Sequence, residues 1–293
     1  MATADESLGA AIGPHSTARI RKIPAFPPDK EPTDMKPMSA ALVMVLLGPA
    51  TAFAASSTPA PAAAHFTGKG QLGFVASQGN AQGKSANAAI DLNYLSGLWK
   101  HSLDLSALYG QSLGIVSAER WTAMWQSNRK ISADAYAFGS LRYEHDMFDG
   151  FQYQGSGALG VGYTLIHSKT TTLSTQVGAG YMVSRPETLT SIALANPTRT
   201  FIERIPQPSE RYAIGTLGVN YEHTITSTTS VSDKLLVNAG SVNTLVTNDL
   251  AFIVKVSTQL AVNLGYHIQD NTHPAAGIQH LDSTETVNLV YAF

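Results

Sequence analysis

Two short glycine-containing strings in this chain match patterns used for cofactor binding or catalysis. Residues 155–160 (GSGALG) fit the dinucleotide-binding pattern G-x-G-x-x-G, whose glycines let a pyrophosphate approach a helix N-terminus. Residues 110–114 (GQSLG) fit the nucleophile elbow G-x-S-x-G, in which a strained strand-to-helix turn exposes the hydroxyl of Ser112. Both chemistries need a helix after the glycines, whereas alternating strand patterns surround each string. We therefore interpret the glycines as packing positions and Ser112 as a loop serine.

The densest group of titratable residues is Glu144, His145 and Asp146. A hydrolytic site would need a nucleophile or paired carboxylates close to a histidine. Adjacent side chains of a strand point to opposite faces, so His145 points away from both carboxylates. The 9 histidines show no H-E-x-x-H or comparable spacing, and the absence of cysteine excludes thiolate ligands and disulfides. We expect no enzyme activity, no cofactor and no metal.

The composition favours a protein with an apolar exterior. Of the 293 residues, 44% are hydrophobic and only 14% are charged, against about 25% charged in soluble domains. No stretch approaches the roughly 18 consecutive apolar residues of a membrane helix, so the apolar residues are dispersed. The net charge of −2 gives no basic surplus that would indicate a nucleic-acid partner.

From Phe66 onward the dominant signal is an alternation of apolar and polar residues, which indicates strands with one apolar face. For example, Leu103 and Leu105 alternate with Ser102 and Asp104. Every second connection between the predicted strands is short. Short turns at one end and longer loops at the other are typical of bacterial outer-membrane barrels. The sequence therefore predicts an all-β, transmembrane, antiparallel up-and-down β-barrel of about 12 strands, each near the length that a tilted spanning strand needs. The predicted strands are 66–77, 85–95, 99–111, 118–128, 134–146, 152–166, 171–184, 212–225, 229–238, 244–256, 260–269 and 282–293.

The ninth of these strands has the weakest pattern, because Asp233 falls on its apolar face. The two longest predicted loops are 185–211 and 270–281.

Aromatic residues on the apolar faces gather at the two ends of the strands. Such girdles mark the two interfaces of a membrane barrel, whereas a soluble β-sandwich would place its large rings mid-strand. The short-turn girdle contains Tyr94, Trp99, Tyr163, Tyr221, Tyr291 and Phe293, and the loop girdle contains Tyr109, Trp121, Tyr143, Tyr153, Tyr181 and Tyr266.

The N-terminal part contains a predicted secretory signal peptide. Lys36 supplies its positive region, residues 40–47 its short apolar core, and Ala52-Phe53-Ala54 a small-residue site, so cleavage is expected between Ala54 and Ala55. The predicted organisation is an unstructured N-terminal extension at 1–34, the signal peptide at 35–54, a disordered Pro/Ala-rich lead-in at 55–65, and the barrel at 66–293. The extension is either a long positive region of the signal peptide or upstream sequence included by a start codon assigned too early, with Met35 or Met38 as the real start.

The last residues resemble a sorting signal. Val287, Leu289, Tyr291 and Phe293 are apolar at alternate positions, as in the C-terminal segment by which the outer-membrane assembly machinery recognises its clients. We expect Tyr291 and Phe293 to form this assembly signal.

Several segments together resemble one known family. Residues 70–83, 99–112, 119–121 (GluArgTrp), 141–165 and the final LVYAF are similar to the uncharacterised outer-membrane β-barrel proteins that include the salt-induced outer-membrane protein YdiY. The resemblance covers nearly all of 66–293. It implies a barrel in the cell outer membrane and supplies no established activity.

Charged residues on the polar faces would lie inside such a barrel. Arg142 and Glu144 alternate with Leu141 and Tyr143, so both should point inward near the loop end, with Gln152 and Gln154 of the next strand beside them. We expect Arg142 and Glu144 to form a charged constriction. A barrel of about eight strands is filled by its own side chains, and one of 16–18 strands has an aqueous pore. Twelve strands lie between these, so the strand number does not decide whether the lumen is open or plugged. Other charges predicted to point inward are Lys69, Lys100, Asp104, Arg120, Lys234, Asp249 and Lys255.

The sequence thus favours a monomeric outer-membrane barrel that is a narrow pore or a structural, stress-related envelope protein of a Gram-negative bacterium. Its expected partners are outer-membrane lipid, lipopolysaccharide and the assembly machinery. An outer-membrane hydrolase acting on lipid or lipopolysaccharide is the first alternative. A soluble periplasmic β-sandwich is the second.

Overall fold

The computed structural model describes residues 62–77, 83–193, 200–275 and 278–293. These residues form thirteen strands, and they contain no helix long and apolar enough to cross a membrane. The strands are β1 (Ala62–Ser77), β2 (Gly83–Gly97), β3 (Trp99–Ser112), β4 (Ile115–Lys130), β5 (Ala135–Asp146), β6 (Phe151–His167), β7 (Thr171–Ala193), β8 (Thr200–Pro206), β9 (Glu210–Thr224), β10 (Thr229–Gly240), β11 (Thr244–Lys255), β12 (Leu260–Asn271) and β13 (Leu281–Ala292).

Twelve of these strands close into a ring. Each pairs antiparallel with the next in sequence, except that β7 pairs with β9, and β1 pairs with β13 to complete the circle. β8 pairs only with the outer part of β7 and forms a hairpin beyond the ring. The prediction of an all-β, antiparallel barrel of about twelve strands is therefore confirmed.

The distribution of side chains is the reverse of that in a soluble domain. Among the described residues, fifteen polar or charged side chains are buried, but only nine hydrophobic ones are. Large apolar side chains instead cover the outer face of the ring, as Leu72, Leu159 and Val287 do. Ten of the twelve girdle aromatics are exposed on this face, while Tyr153 and Tyr221 are half-buried. The alternation in sequence thus places polar side chains in the lumen.

All connections at one end of the barrel are short, and the two longest connections lie at the other end, as predicted. At one end, Leu98 alone joins β2 to β3, and short turns such as Ser168–Thr170 join the other pairs. The opposite end, called the loop end below, carries the long connections from β7 to β9 and from β12 to β13, together with short ones such as the turn between β3 and β4. In that turn Leu113 (φ 52°) and Gly114 (φ 78°) join β3 to β4 with positive φ at both positions, as type I′ hairpins have.

Two stretches differ from the predicted loops. β1 begins at Ala62 rather than Phe66, because the backbone of the predicted lead-in continues to pair with β2, with His65 opposite Leu95. The predicted loop 185–211 is a hairpin, because β7 continues to Ala193 and β8 returns alongside it. β-Branched residues rather than strict alternation characterise this stretch, and they favour an extended backbone.

The strand with the weakest pattern, β10, pairs along its whole length with β9 and β11. Asp233 lies on its outer face, as predicted, and its Oδ1 accepts a hydrogen bond of 2.7 Å from Nδ2 of Asn248 on β11. The side-chain amide of Asn248 thus provides a hydrogen-bond donor for a carboxylate on the apolar face.

Candidate functional site: the lumen

Two rows of charged side chains face each other across the middle of the lumen. The first row crosses β1, β2 and β3, where Lys69 is paired in register with Asp91, and Asp91 with Asp104. The Lys69 Nζ lies 3.6 Å from a carboxylate oxygen of Asp91. We call this row, together with the second row described next, the central belt.

The second row of the central belt crosses β10, β11 and β12. Lys234 is paired in register with Asp249, and Asp249 with His267. The His267 Nδ1 lies 2.7 Å from Oδ1 of Asp249. β3 and β10 are six strands apart in either direction around the ring, so Asp104 and Lys234 belong to opposite walls. The belt therefore combines cations and carboxylates on both walls.

Solvent reaches the central belt. The side chains of Lys69 and Asp249 are 44% and 57% exposed although both point into the lumen. A barrel filled by its own side chains would bury them. The lumen thus has room for water at this level.

Nearer the loop end, side chains from opposite walls meet. Glu144 of β5 forms a salt bridge with Arg142, and its Oε1 accepts a hydrogen bond of 2.8 Å from Nε2 of Gln269 on β12. Arg120 of β4 lies 3.4 Å from Asp146 and donates a bond of 2.9 Å to Oγ1 of Thr284 on β13. We call these six residues the upper network.

The Glu144–Gln269 bond spans the lumen. β5 and β12 are six strands apart in either direction around the ring, which is the largest separation that a ring of twelve allows. The side chain of Glu144 is 1% exposed and that of Arg142 is 11% exposed, far less than those of Lys69 and Asp249 in the belt. The upper network is therefore the narrow level of the lumen.

A loop partly covers the upper network at the loop end. Asp149, between β5 and β6, accepts hydrogen bonds of 2.9 Å from the Phe151 backbone N–H and from Nε2 of Gln154. Burial raises the pKa of the Asp149 carboxyl well above its usual range, and the negative charges of Glu144 and Asp146 raise it further. The adjacent Gly150 (φ 79°) lies against Ala275 and so brings this loop to the β12–β13 connection.

The glycine string 155–160 is part of the barrel wall. Gly160 faces the lumen, where an added Cβ would collide with the Val177 carbonyl, the Gly178 backbone and the ring of Phe138. At Gly162 an added Cβ would collide in the same way with the ring of Tyr136. Both rings point inward, and these glycines provide the space for them. The interpretation as packing positions therefore holds for Gly160.

The other candidate chemistry has no convergent geometry. Ser112 ends β3, and a two-residue hairpin turn and then β4 follow it, so no helix forms the elbow. His145 points to the outer face, where its Nδ1 contacts the Gln152 carbonyl oxygen, whereas Glu144 points into the lumen. The described residues contain no group of three His, Asp or Glu side chains arranged to hold a metal ion.

The structure brings Arg142 and Glu144 together in the lumen and adds partners that sequence reasoning missed. Gln154 lies opposite Glu144 in register, but its amide bonds to Asp149. Gln152 is displaced by an irregularity in the β5–β6 pairing. The missed partner is Gln269. Alternation indicates that Gln269 points into the lumen, but it does not give the position of Gln269 along the barrel axis relative to β5.

The remaining predicted sites lie away from the lumen. The rings of Tyr291 and Phe293 stack on the outer face with centroids 6.3 Å apart, and the Phe293 backbone exchanges two hydrogen bonds with Gly68. Their role as an assembly signal stays a prediction. Ala54, Ala55, the signal peptide and the N-terminal extension lie outside the described residues.

Residues 70–293 match the family described as "Protein of unknown function, DUF481". The chain belongs to the DUF481 family. The match agrees with the resemblance to a family of uncharacterised proteins, whereas the link to the salt-induced protein stays a prediction. No curated protein sequence matches this DUF481 chain.

Solved structures similar to this DUF481 chain are β-barrels of low sequence identity. The NanC porin is 8% identical with a TM-score of 0.42, over 78% of this chain and 98% of that one. The translocator domain of the autotransporter NalP from Neisseria meningitidis is 10% identical with a TM-score of 0.40, over 78% and 86%. An outer-membrane channel from Pseudomonas putida F1 is 9% identical with a TM-score of 0.39, over 81% and 96%.

Proposed function

We propose that this DUF481 protein is a narrow, water-filled pore in the outer membrane of a Gram-negative bacterium. The observation that carries the proposal is the contrast between two levels of the lumen. The central belt is charged and open to solvent, and the upper network above it is bridged from wall to wall. A small polar solute or ion would meet paired charges at one constriction, as in selective channels.

The apolar outer face supports the membrane location. The transfer of an exposed apolar side chain from water to an apolar medium lowers the free energy by about 25 cal/mol per Å². Leu159 is 74% exposed, and dozens of exposed apolar side chains circle the ring. Backbone hydrogen bonding closes on itself around the ring, as hydrocarbon requires. The proposal includes no catalysis, because Glu144 and His145 point to opposite faces of the wall.

Planar-bilayer recording of the refolded protein tests the proposal. We expect discrete single-channel currents from the wild type. Arg142→Ala removes a cation from the constriction and should shift permeability toward cations, and Glu144→Gln should shift it toward anions. Glu285→Gln is the matched control, because Glu285 is exposed on the outer face and its loss should leave the permeability ratio unchanged. A folded wild-type protein without currents would overturn the proposal and favour a structural envelope protein.

A further inference from the structure

The outer wall of the barrel contains a shallow apolar groove toward the loop end. Its floor is formed by Gly155 and Gly157 of β6, and its sides by Tyr143 of β5 and by Tyr181 and Val183 of β7. The volume of the groove is about 570 Å³. It lies on the face that the proposed pore presents to lipid.

At Gly155 the chain's own packing does not require a glycine, whereas at Gly157 an added Cβ would lie 3.1 Å from Cδ2 of Leu141. At Gly155 an added Cβ would find no atom closer than 3.7 Å, whereas at Gly160 it would strike the backbone of β7. Gly160 is therefore explained by packing inside the lumen, whereas Gly155, like Gly70 and Gly215 on the outer face, has room for a Cβ. A glycine on an apolar outer face gives up the burial that a larger side chain would gain in lipid. The floor of the groove therefore has room for an acyl chain.

One side of the groove is a rigid aromatic wall. The rings of Tyr143 and Tyr153 are stacked with centroids 6.1 Å apart, and Trp121 stacks on Tyr143 at 4.9 Å. Tyr153 is further held by a hydroxyl contact of 3.2 Å to Ser209. These rings belong to the loop girdle, so the groove runs from the apolar band to the level of lipid headgroups.

Two arginines lie directly above the groove. Arg185 is opposite Tyr153 in register and Arg211 is opposite Val183, and both point outward by alternation with buried Ser184 and Tyr212. The Arg185 Nε donates to the Gln207 carbonyl oxygen at 3.2 Å, which orients its guanidinium group. The charge of the neighbouring Glu187 is already balanced by Arg204, whose Nη1 lies 3.3 Å from Oε2 of Glu187.

We propose that this groove and the two arginines bind a phosphorylated glycolipid of the outer leaflet, with one acyl chain on the glycine floor and a phosphate on Arg185 and Arg211. Arginine is suited to this role because its planar guanidinium bonds phosphate oxygens in pairs. The specific ligand is the lipid A part of lipopolysaccharide, since the loop end faces the outer leaflet in a bacterial barrel. The inference rests on the proposed membrane insertion and is independent of conduction.

Native mass spectrometry of the refolded protein in detergent tests this site. Bisphosphorylated lipid A is titrated into the wild type, Gly155→Leu and the double variant Arg185→Gln/Arg211→Gln. We expect each variant to bind at least tenfold more weakly, because one fills the floor and the other removes the phosphate ligands. Gly215→Leu and Arg129→Gln are the matched controls. Gly215 faces outward into open space on β9, and Arg129 lies over Trp99 at the short-turn end.

Three outcomes overturn the inference. They are equal binding by the wild type and the arginine double variant, equal binding of dephosphorylated lipid A, and equal binding of phosphatidylglycerol, which would replace the glycolipid by anionic lipid in general. Heat-modifiable migration verifies that each variant is folded, and the rim substitutions remain informative if Gly155→Leu does not fold. Currents in bilayers without lipid A separate a failed lipid site from a failed pore.

Discussion

At the scale of single residues, the lumen wall depends on glycines that make space for inward aromatic rings. Gly160→Ala should destabilise the barrel by about 1–3 kcal/mol, because the new methyl group meets the Val177 carbonyl and the ring of Phe138, and backbone atoms cannot move aside. Urea unfolding followed by tryptophan fluorescence measures the change. Gly215→Ala, in open space, is the control. Equal midpoints for the two variants would contradict the steric explanation.

The hairpin turn after β3 contains a residue whose backbone is unfavourable for its type. Leu113 has φ 52°, in the left-handed region that costs most residues about 1–2 kcal/mol, whereas asparagine tolerates it. Leu113→Asn should therefore raise the free energy of unfolding by about 1 kcal/mol. Leu113→Val, which is β-branched, should lower it. The same urea experiment tests both, and a stabilised valine variant would show that the turn has a different conformation.

At the scale of elements, the seam that closes the ring is its shortest pairing. β1 and β13 pair through residues 69–72 and 289–292, and Phe293 and Gly68 add two further hydrogen bonds. Because the chain has no cysteine, a disulfide can report this register. Gln71→Cys/Val290→Cys should cross-link on oxidation, since directly opposed Cβ atoms lie about 4.5–5.5 Å apart. Gln71→Cys/Asn288→Cys, on the diagonal, should not, and cross-linking of both pairs would disprove the register.

The β5–β6 loop should make the barrel pH-sensitive. The folded protein raises the pKa of Asp149, so it holds this proton more tightly than the unfolded chain does. Stability from this group is therefore full at acidic pH and is lost as pH rises from the usual aspartate range through the raised folded pKa. Asp149→Asn should be more stable than wild type at pH 8 and should reduce the difference between pH 5 and pH 8. Urea midpoints at both pH values test this, with exposed Asp134→Asn as control.

The sequence predicts which face of a strand each side chain occupies, but it does not predict how distant strands are positioned relative to one another. Alternation of residue types fixes which face a side chain occupies, so the inward placement of Arg142, Glu144 and Lys234 was predictable. Alternation says nothing of the stagger between distant strands, so Gln269 and Thr284 were not identified as partners. It also misses strands that lack a polar and an apolar face, as in the β7–β8 hairpin.

At the scale of the whole molecule, the width of the lumen should depend on the bond between Glu144 and Gln269. Gln269→Ala removes the contact between opposite walls and leaves the salt bridge of Glu144 with Arg142 in place. We expect a larger single-channel conductance with little change in the permeability ratio, because size changes and charge does not. Gln259→Ala, in the short turn between β11 and β12, is the control. An unchanged conductance for Gln269→Ala would place the narrow level elsewhere in the lumen.

The same bond has a consequence for the order of events in folding. Glu144 and Gln269 are 125 residues apart in the chain, and a contact over such a distance forms late because closing a long loop costs entropy. Six strand pairings on either side must be complete before the two side chains can meet. The bond therefore forms only in a barrel that has finished closing. A partly assembled ring would still be wide at this level. The last step of folding would therefore also determine the width of the lumen.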